Sequence, residues 1–408
     1  MTSLQTATGV FGGLLIVGAL LSGLAYRGVL SLVAVFVLAG FLLGDGGARV
    51  IHFTPGSGFV ADLTTVALIV ILFRDGLEVD AELIQREWRA PLRKLAIGMP
   101  ITAVFVAAAT HAFVGLSWAQ SFLLGALLSP TDPVLSSAVV TDARVPRIVR
   151  HSLNLESGLN DGLALAAVLA LAAVLDTRSE HFVWWRFALQ DVGLGFAFGI
   201  VCGLVGSVLM PRRSARIRPV QKTLYGLGVA FATYSVTVLP PKGNGLIAVF
   251  TAAIVLGMRR PDLRDHFVEG TGEVIEIVKL GVFTVFASLL TVHGLATDGW
   301  AAVAVVMVTL LVARPVAIWA ALAGTRLDPA AKAFMAWFGP KGVATMAFAL
   351  LILGRGLPGG RRIFDIAALA VVTSVVLHGV SETRGITWLS ARGGTPERER
   401  PPSASSTG

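Results

Sequence analysis

Charge is scarce in this chain: only 14% of its 408 residues are Asp, Glu, Lys or Arg, against 55% hydrophobic ones. A water-soluble domain of this length cannot cover its surface with so little charge, and the mean hydropathy of +0.77 agrees. The solvent for most of the chain is therefore lipid. Cysteine is nearly missing too. The single Cys202 lies in an apolar run, which excludes a disulfide framework and a cysteine metal cluster. No basic segment precedes the first apolar stretch, so the N-terminal residues read as a first transmembrane helix rather than a cleaved signal.

What is present is a series of apolar runs. A bilayer-spanning helix takes about 20 apolar residues. Runs separated by Gly, Pro or charged clusters give thirteen candidate spans, near 8–26, 29–44, 60–79, 93–115, 119–141, 147–175, 186–210, 220–238, 244–258, 271–293, 299–324, 330–354 and 361–382. The expected fold is all-α and integral to the membrane, with about 13 transmembrane helices and the termini on opposite faces.

The formal charge of +8 and a pI near 10.2 do not imply nucleic acid, because Lys and Arg sit in short loops rather than on one polar stripe. The odd loops gather Arg74, Arg86, Arg89, Arg93 and Lys94, then Arg144, Arg147 and Arg150, then Arg212, Arg213, Arg216, Arg218 and Lys222, then Arg259, Arg260 and Arg264. The even loops hold only Arg49, Arg178, Arg186, Lys242 and the group Arg355, Arg361 and Arg362. The positive-inside rule then puts the odd loops and the C-terminus in the cytoplasm and the N-terminus outside, in a multi-pass protein of the cell's inner (plasma) membrane. Trp118, Trp184, Trp185 and Trp300 fall near outer span ends, an interfacial preference of indole that scattered tryptophan would mimic. The membrane domain is expected over residues 1–389. Residues 390–408 are polar and rich in Pro, Ser and Gly, and read as a disordered cytoplasmic tail with no soluble regulatory domain.

Ionisable groups inside spans cost about 2.5–3.5 kcal/mol each on insertion scales and mark function by default. In the fifth span, Ser129-Pro130-Thr131-Asp132-Pro133 carries two prolines. Each lacks an N–H and clashes with the carbonyl four residues back, so the helix breaks at mid-membrane depth. Such a break is tolerated only against protein or a water-filled cavity. In the sixth span stands Glu156-Ser157-Gly158-Leu159-Asn160-Asp161-Gly162. Spacing of four puts Ser157 beneath Asp161, and Glu156 beneath Asn160 on the adjoining face. Hard oxygen ligands suit a dehydrated alkali cation better than zinc, which prefers nitrogen or sulfur.

A second break is expected in the twelfth span at Gly339-Pro340-Lys341-Gly342. If residues 8–175 and 220–382 are two copies of a six-helix unit joined by a linking helix near 186–210, the fifth and twelfth spans are counterparts. The copies lie seven spans apart, an odd offset, so they run in opposite directions: two inverted six-helix repeats with two discontinuous helices crossing at the midplane. Arg314 inside the eleventh span needs a partner, and Glu156 is the best unassigned one; snorkelling to an interface is the alternative. Lys341 either offsets the carbonyl ends at the second break or sits at an interface. Glu78 reads as an acid at the inner mouth of the site or a solvated loop acid. Glu273, Glu276 and Lys279 read first as a solvated helix entrance. His111 and His293 read as structural histidines.

On these residues the chain resembles the cation/proton antiporter superfamily, specifically the monovalent cation/proton antiporter-1 branch. That branch holds the NhaP-type antiporters of bacteria and archaea and the animal sodium/proton exchangers. The likeness covers about residues 8–382 and rests on Thr131-Asp132-Pro133, Asn160-Asp161, Arg314 and Gly339 to Gly342. It implies a homodimer in which a core domain moves against a dimerisation domain within membrane lipid. It also implies that Asp161 is the carboxylate shared by proton and cation, with Ser157, Asp132 and the Thr131 backbone around the ion. Asn160 and Arg314 would support it through Glu156. Lys341 stands where the family often has Arg, which puts any role of a bidentate fork there in doubt. Asn160, in place of a second Asp, implies electroneutral exchange.

The expected function is exchange of Na+ for H+ by alternating access, with K+ or Li+ open as the cation and no cofactor. Burial disfavours a bare carboxylate charge, so cation and proton compete for Asp161 and only the neutralised site crosses. An intramembrane enzyme using Asp132 and Asp161 as an acid–base pair is the rival; no nucleophilic Ser–His or metal-ligand set accompanies it. A cation channel is a third class, which would pass current without proton counterflow.

Overall fold

In lipid, a helix satisfies every backbone N–H and C=O within its own segment, and the apolar runs fold accordingly. The structure, a computed structural model, describes residues 4–25, 32–79, 89–132, 137–176, 183–211, 218–239 and 242–392. Among them every regular element is helical: α1 (Leu4–Ala25), α2 (Leu32–Leu43), α3 (Gly58–Leu77), α4 (Arg89–Val114), α5 (Trp118–Leu128), α6 (Ser137–Thr141), α7 (Arg147–Leu175), α8 (Trp184–Leu209), α9 (Pro219–Val238), α10 (Gly245–Arg259), α11 (Pro261–Ser288), α12 (Val292–Ala296), α13 (Gly299–Ala321), α14 (Pro329–Trp337), α15 (Val343–Arg355) and α16 (Gly360–Arg392). Pro133, Arg86, Arg178, Arg212, Arg213, Arg216 and the tail from residue 393 lie outside the described residues.

Among the described helices, α4, α7, α8, α13 and α16 are long and apolar enough to cross a membrane. Charge interrupts α3, at Asp62, Arg74 and Asp75, and α11, at Glu273, Glu276 and Lys279. Two expected boundaries move. α11 begins at Pro261 rather than near 271, because proline at the first helical position loses nothing by lacking an N–H. α16 continues past 382 to Arg392, so Ser390 is helical; Ile386 and Leu389 are buried beneath it and Arg392 stacks on Trp388 at 4.8 Å.

Both expected breaks are present. α5 stops at Leu128 and residues 129–132 after it are non-helical; α14 stops at Trp337 and α15 starts at Val343. The two non-helical stretches meet, the Asp132 N–H donating to the Pro340 carbonyl at 2.8 Å. α7 passes beside them and packs against α3, α5 and α15. Wide π-turns precede Pro100 in α4 and Pro315 in α13, each close to a proline that cannot take its place in the helical ladder.

α8 buries chiefly glycine: Gly195, Gly199, Gly203 and Gly206, with Ser207. Four-residue spacing lets its backbone lie against α10, the small-residue packing typical of membrane helices. A β-carbon at Gly199 would stand 2.6 Å from the Ala248 carbonyl oxygen. Arg260, read above as a loop cation, is in fact 1% exposed. Its Nη1 donates to the carbonyls of Ser207 at 3.1 Å and Met210 at 2.6 Å, closing the end of α8.

Gly199→Val is expected to destabilise the protein by about 1–3 kcal/mol through overpacking. Gly228→Ala, where nothing lies within 4 Å, leaves thermal unfolding in detergent unchanged or slightly raised. Equal melting temperatures for the two variants would rule out this packing.

Candidate cation site

The site begins with the two faces of α7. Successive residues on a helix point about 100° apart, so residues 157 and 161 share one face while 156 and 160 share the next. Ser157 and Asp161 look into a cavity that is also lined by Asp132 from the first break, by Arg74, Asp75 and Glu78 at the end of α3, by Asn154, and by Lys279 of α11. Its volume is about 30 Å³, at least twice the roughly 10–15 Å³ that one water needs on this measure. Asp161 is 5% exposed, and the Asp75 carboxyl lines the same small cavity. Two carboxyls this close repel when both are ionised, so a proton or a cation stabilises the pair.

The neighbouring face of α7 does different work. Asn160 donates through Nδ2 to the Thr131 carbonyl at 3.0 Å and the Thr131 hydroxyl at 3.2 Å, tying α7 to the first break. Thr131 is 4% exposed and is not among the residues lining the cavity. Glu156 turns away from the cavity. Its Oε1 accepts from Arg314 Nη1 at 2.9 Å and its Oε2 from Lys94 Nζ at 2.8 Å, with Lys94 also donating to the Ser152 carbonyl at 2.8 Å. One carboxylate therefore neutralises two buried cations, at 5% exposure for Arg314 and 1% for Lys94. Arg314 does not snorkel to an interface, and Lys94 is no loop charge.

The second break explains Gly339-Pro340-Lys341-Gly342. A β-carbon at Gly339 would overlap the Arg314 guanidinium, and one at Gly342 would overlap Asp132. Arg314 Nη2 donates to the carbonyls of Met335 and Phe338, each at 3.2 Å. Lys341 is fully buried rather than interfacial, and its Nζ donates to the Pro130 carbonyl at 3.2 Å. The Lys341 N–H donates to the Ser374 hydroxyl at 2.9 Å. That hydroxyl lies 3.1 Å from His378 Nδ1, and His378 Nε2 lies 2.9 Å from the Trp337 carbonyl. Nδ1 also lies 2.7 Å from the Ser374 carbonyl, so both ring nitrogens face oxygens that only accept, and a neutral imidazole can donate to just one of them.

The structure thus brings Asp161, Ser157, Asp132 and Glu78 to one cavity, and sets Thr131, Asn160, Glu156, Arg314 and Lys341 behind it as fixed partners. Glu78 also accepts from Arg74 at 2.9 Å. Sequence reasoning passed over Asp75 and His378 and misplaced Lys94 and Lys279. Asp75 offered a signal, an acid inside the third apolar run. Lys279 is 7% exposed and faces the cavity, not a solvated helix entrance. His111 stacks on Trp118 at 4.2 Å, its Nδ1 meets the Leu116 carbonyl at 2.7 Å, and it does not line this cavity. Among the described residues no group of His, Cys, Asp or Glu forms a metal-binding cluster.

Comparison with known proteins gives a consistent picture. A family model described as sodium/hydrogen exchanger, transmembrane, matches residues 12–386. The chain is 25% identical over 374 residues to the K(+)/H(+) antiporter NhaP2 of Shewanella sp. (strain MR-4), covering 90% of this chain and 64% of that protein. It is 29% identical over 367 residues to the K(+)/H(+) antiporter NhaP of Alkalimonas amylolytica, covering 87% and 62%. The chain therefore spans somewhat less than two thirds of the length of these relatives. Among solved structures, the sodium proton antiporter MjNhaP1 from Methanocaldococcus jannaschii at pH 8 is 18% identical. It superposes with a TM-score of 0.82, over 95% of this chain and 99% of that one, a likeness of fold.

Glu156→Gln leaves two buried cations with one neutral partner. Breaking a buried pair typically costs about 3–5 kcal/mol, so this variant is expected to unfold at a much lower temperature in detergent than Lys94→Met, which leaves the Arg314 pair intact. A smaller loss for Glu156→Gln than for Lys94→Met would show that Glu156 is not the shared anion.

Proposed function

Since this chain belongs to the sodium/hydrogen exchanger family, we propose that it is a secondary active transporter exchanging a monovalent cation for H+ by alternating access, with both competing for Asp161. The family is one of transporters rather than enzymes. The observation that carries the reading is the placement of Asp161 and Ser157 in one cavity with Asp75 and Asp132, beside the meeting point of two broken helices. Hard oxygen donors without sulfur or imidazole suit an alkali cation.

Na+ is our first reading of the cation. K+ is the second, favoured by the names of the two relatives; the ligand types give hardness and valence but not radius. Asn160 is engaged with Thr131 and adds no titrating group, which supports electroneutral exchange. The paired breaks support two inverted repeats, about 8–175 and 220–382, joined by α8 within about 13 transmembrane helices. The reading also includes a homodimer in the inner membrane, its N-terminus outside and its C-terminus cytoplasmic. Asp161, Asp132, Ser157 and Asp75 would hold the cation in turn with the proton. Thr131, Asn160, Glu156, Arg314 and Lys341 would hold the break geometry, and Glu78 the inner mouth.

Competition supplies the coupling. Either occupant neutralises Asp161, whereas the empty charged site carries the desolvation cost of a bare ion across the apolar barrier and stays where it is.

In proteoliposomes, dequenching of a pH-sensitive dye on addition of Na+ or K+ is expected for the wild type and is lost in Asp161→Asn. Li+ and Ca2+ salts and a clamped membrane potential define ion choice and stoichiometry. Full cation-driven proton flux through Asp161→Asn would reject the assignment. Asp75→Asn is expected to keep exchange but raise the half-saturating cation concentration roughly tenfold, the worth of one charge-assisted contact of about 1.5 kcal/mol. An unchanged half-saturating concentration would remove Asp75 from the ion's surroundings.

A further inference from the structure

Buried cations in this protein are tied down. Lys94, Arg260, Arg314 and Lys341 each donate hydrogen bonds to carbonyls or carboxylates. Lys279 is different. It is 7% exposed, yet among the described residues it alone of the buried lysines and arginines has neither a hydrogen bond nor a carboxylate oxygen within the 4.0 Å of an ion pair. An ammonium buried without compensation is strongly disfavoured. What compensates it lies across the cavity: electrostatic attraction to Asp75 and to Asp161. Glu276, three residues earlier on α11, is partly exposed and makes no ion pair with it.

A lysine ammonium has the charge of an alkali cation and, like one, is attracted to carboxylate oxygens. Here its stem is anchored in α11, while the carboxylates it faces belong to α3, α7 and the first break. The space between is water-sized. A monovalent ion entering that space meets the same carboxylates and is repelled by the ammonium.

We propose that Lys279 is a tethered competitor for the transported cation: it balances the acidic cavity when no alkali ion is bound, and an entering ion must displace its influence. Lys279 thereby sets the apparent cation affinity of the site. The inference rests on the exchange reading above and adds to it a residue that holds the affinity down rather than one that binds the ion. A plain structural counter-ion would make a different prediction, namely loss of stability on neutralisation without a change in cation affinity.

The test is a thermal-unfolding titration of the purified full chain with NaCl and with KCl, ionic strength held constant with choline chloride. Wild type is compared with Lys279→Gln, Lys279→Met and Lys279→Arg. A ligand at free concentration c that binds only the folded state stabilises it by RT ln(1 + c/Kd), so fitting the rise in unfolding temperature gives the half-saturating concentration, the midpoint compared between variants. Neutral variants are expected to reach the midpoint at a cation concentration about tenfold lower than wild type, given the charge removed across a few ångströms of partly screened space. Lys279→Arg is expected to stay within about twofold of wild type, since it keeps the charge. Exchange assays in proteoliposomes are expected to show the same order in half-saturating concentration.

An equal or higher midpoint in the neutral variants overturns the proposal. So does failure of both neutral variants to fold, because the charge then serves the fold. A wild type that is stabilised by neither cation beyond the choline control sinks the exchange reading itself, and this inference with it. A clear wild-type response with unmoved neutral variants sinks only the inference.

Discussion

Non-helical backbone at the centre of an apolar protein must find a partner for each polar group it uncovers, because no water is there to take them. The two breaks answer that demand mainly with each other. The Asp132 N–H goes to the Pro340 carbonyl, Lys341 Nζ reaches the Pro130 carbonyl, and Arg314 reaches the carbonyls of Met335 and Phe338. His378 and Ser374 of α16 take up what remains at Trp337 and Lys341. Each partner is a charge or a dipole held by a different helix, so one requirement ties α5, α13, α14, α15 and α16 together. Glycine at 339 and 342 is the steric consequence, leaving room for the guanidinium and for Asp132.

That framework leaves α7 with two separate duties, divided by a single residue of helical rotation. Glu156 and Asn160 are consumed by permanent contacts to Lys94, Arg314 and Thr131. Ser157 and Asp161 have the cavity instead. Had Glu156 faced the cavity, two bound cations would have lost their anion and the site would have gained a charge without a fixed partner. The division explains why a helix rich in polar groups behaves as a structural post on one side and a binding surface on the other. The pairing of Glu156 with Arg314 expected from the sequence belongs to the structural side of this rotation.

Much of this was legible because the relevant signals are local. Proline removes an N–H wherever it stands, so both breaks could be located at Pro130 and Pro340 from the sequence. Spacing of four put Ser157 with Asp161. The pairing of Arg314 with Glu156 followed from elimination, there being few buried charges to choose among. Lys94 and Lys279 were misjudged, and Asp75 passed over, for one shared reason: each lies near the end of an apolar run, where sequence cannot tell a side chain that reaches water from one that turns inward. Which of the two happens depends on neighbours distant in the chain, Glu156 for Lys94 and Asp161 for Asp75. The same ambiguity hid Arg260, whose hydrogen bonds are to the end of α8 some fifty residues earlier.

The origin of the cavity's charges carries the argument one step further. Asp161 and Asp132 come from α7 and the first break, which are bound to each other through Asn160 and Thr131 and to the second break through Pro340. Asp75 and Lys279 come from α3 and α11, which pack on each other and on α2, α9 and α10. Within the first set the contacts are hydrogen bonds of fixed geometry; between Asp161 and the charges of the second set they are chiefly electrostatic across a gap. Electrostatic attraction across a gap changes smoothly with distance, whereas a hydrogen-bonded break tolerates little displacement. On the proposed exchange cycle, a displacement of one helix set against the other would therefore leave Asp161 and Asp132 in place relative to each other while altering the influence of Asp75 and Lys279. The affinity of the site and its accessibility would then be governed by the same motion.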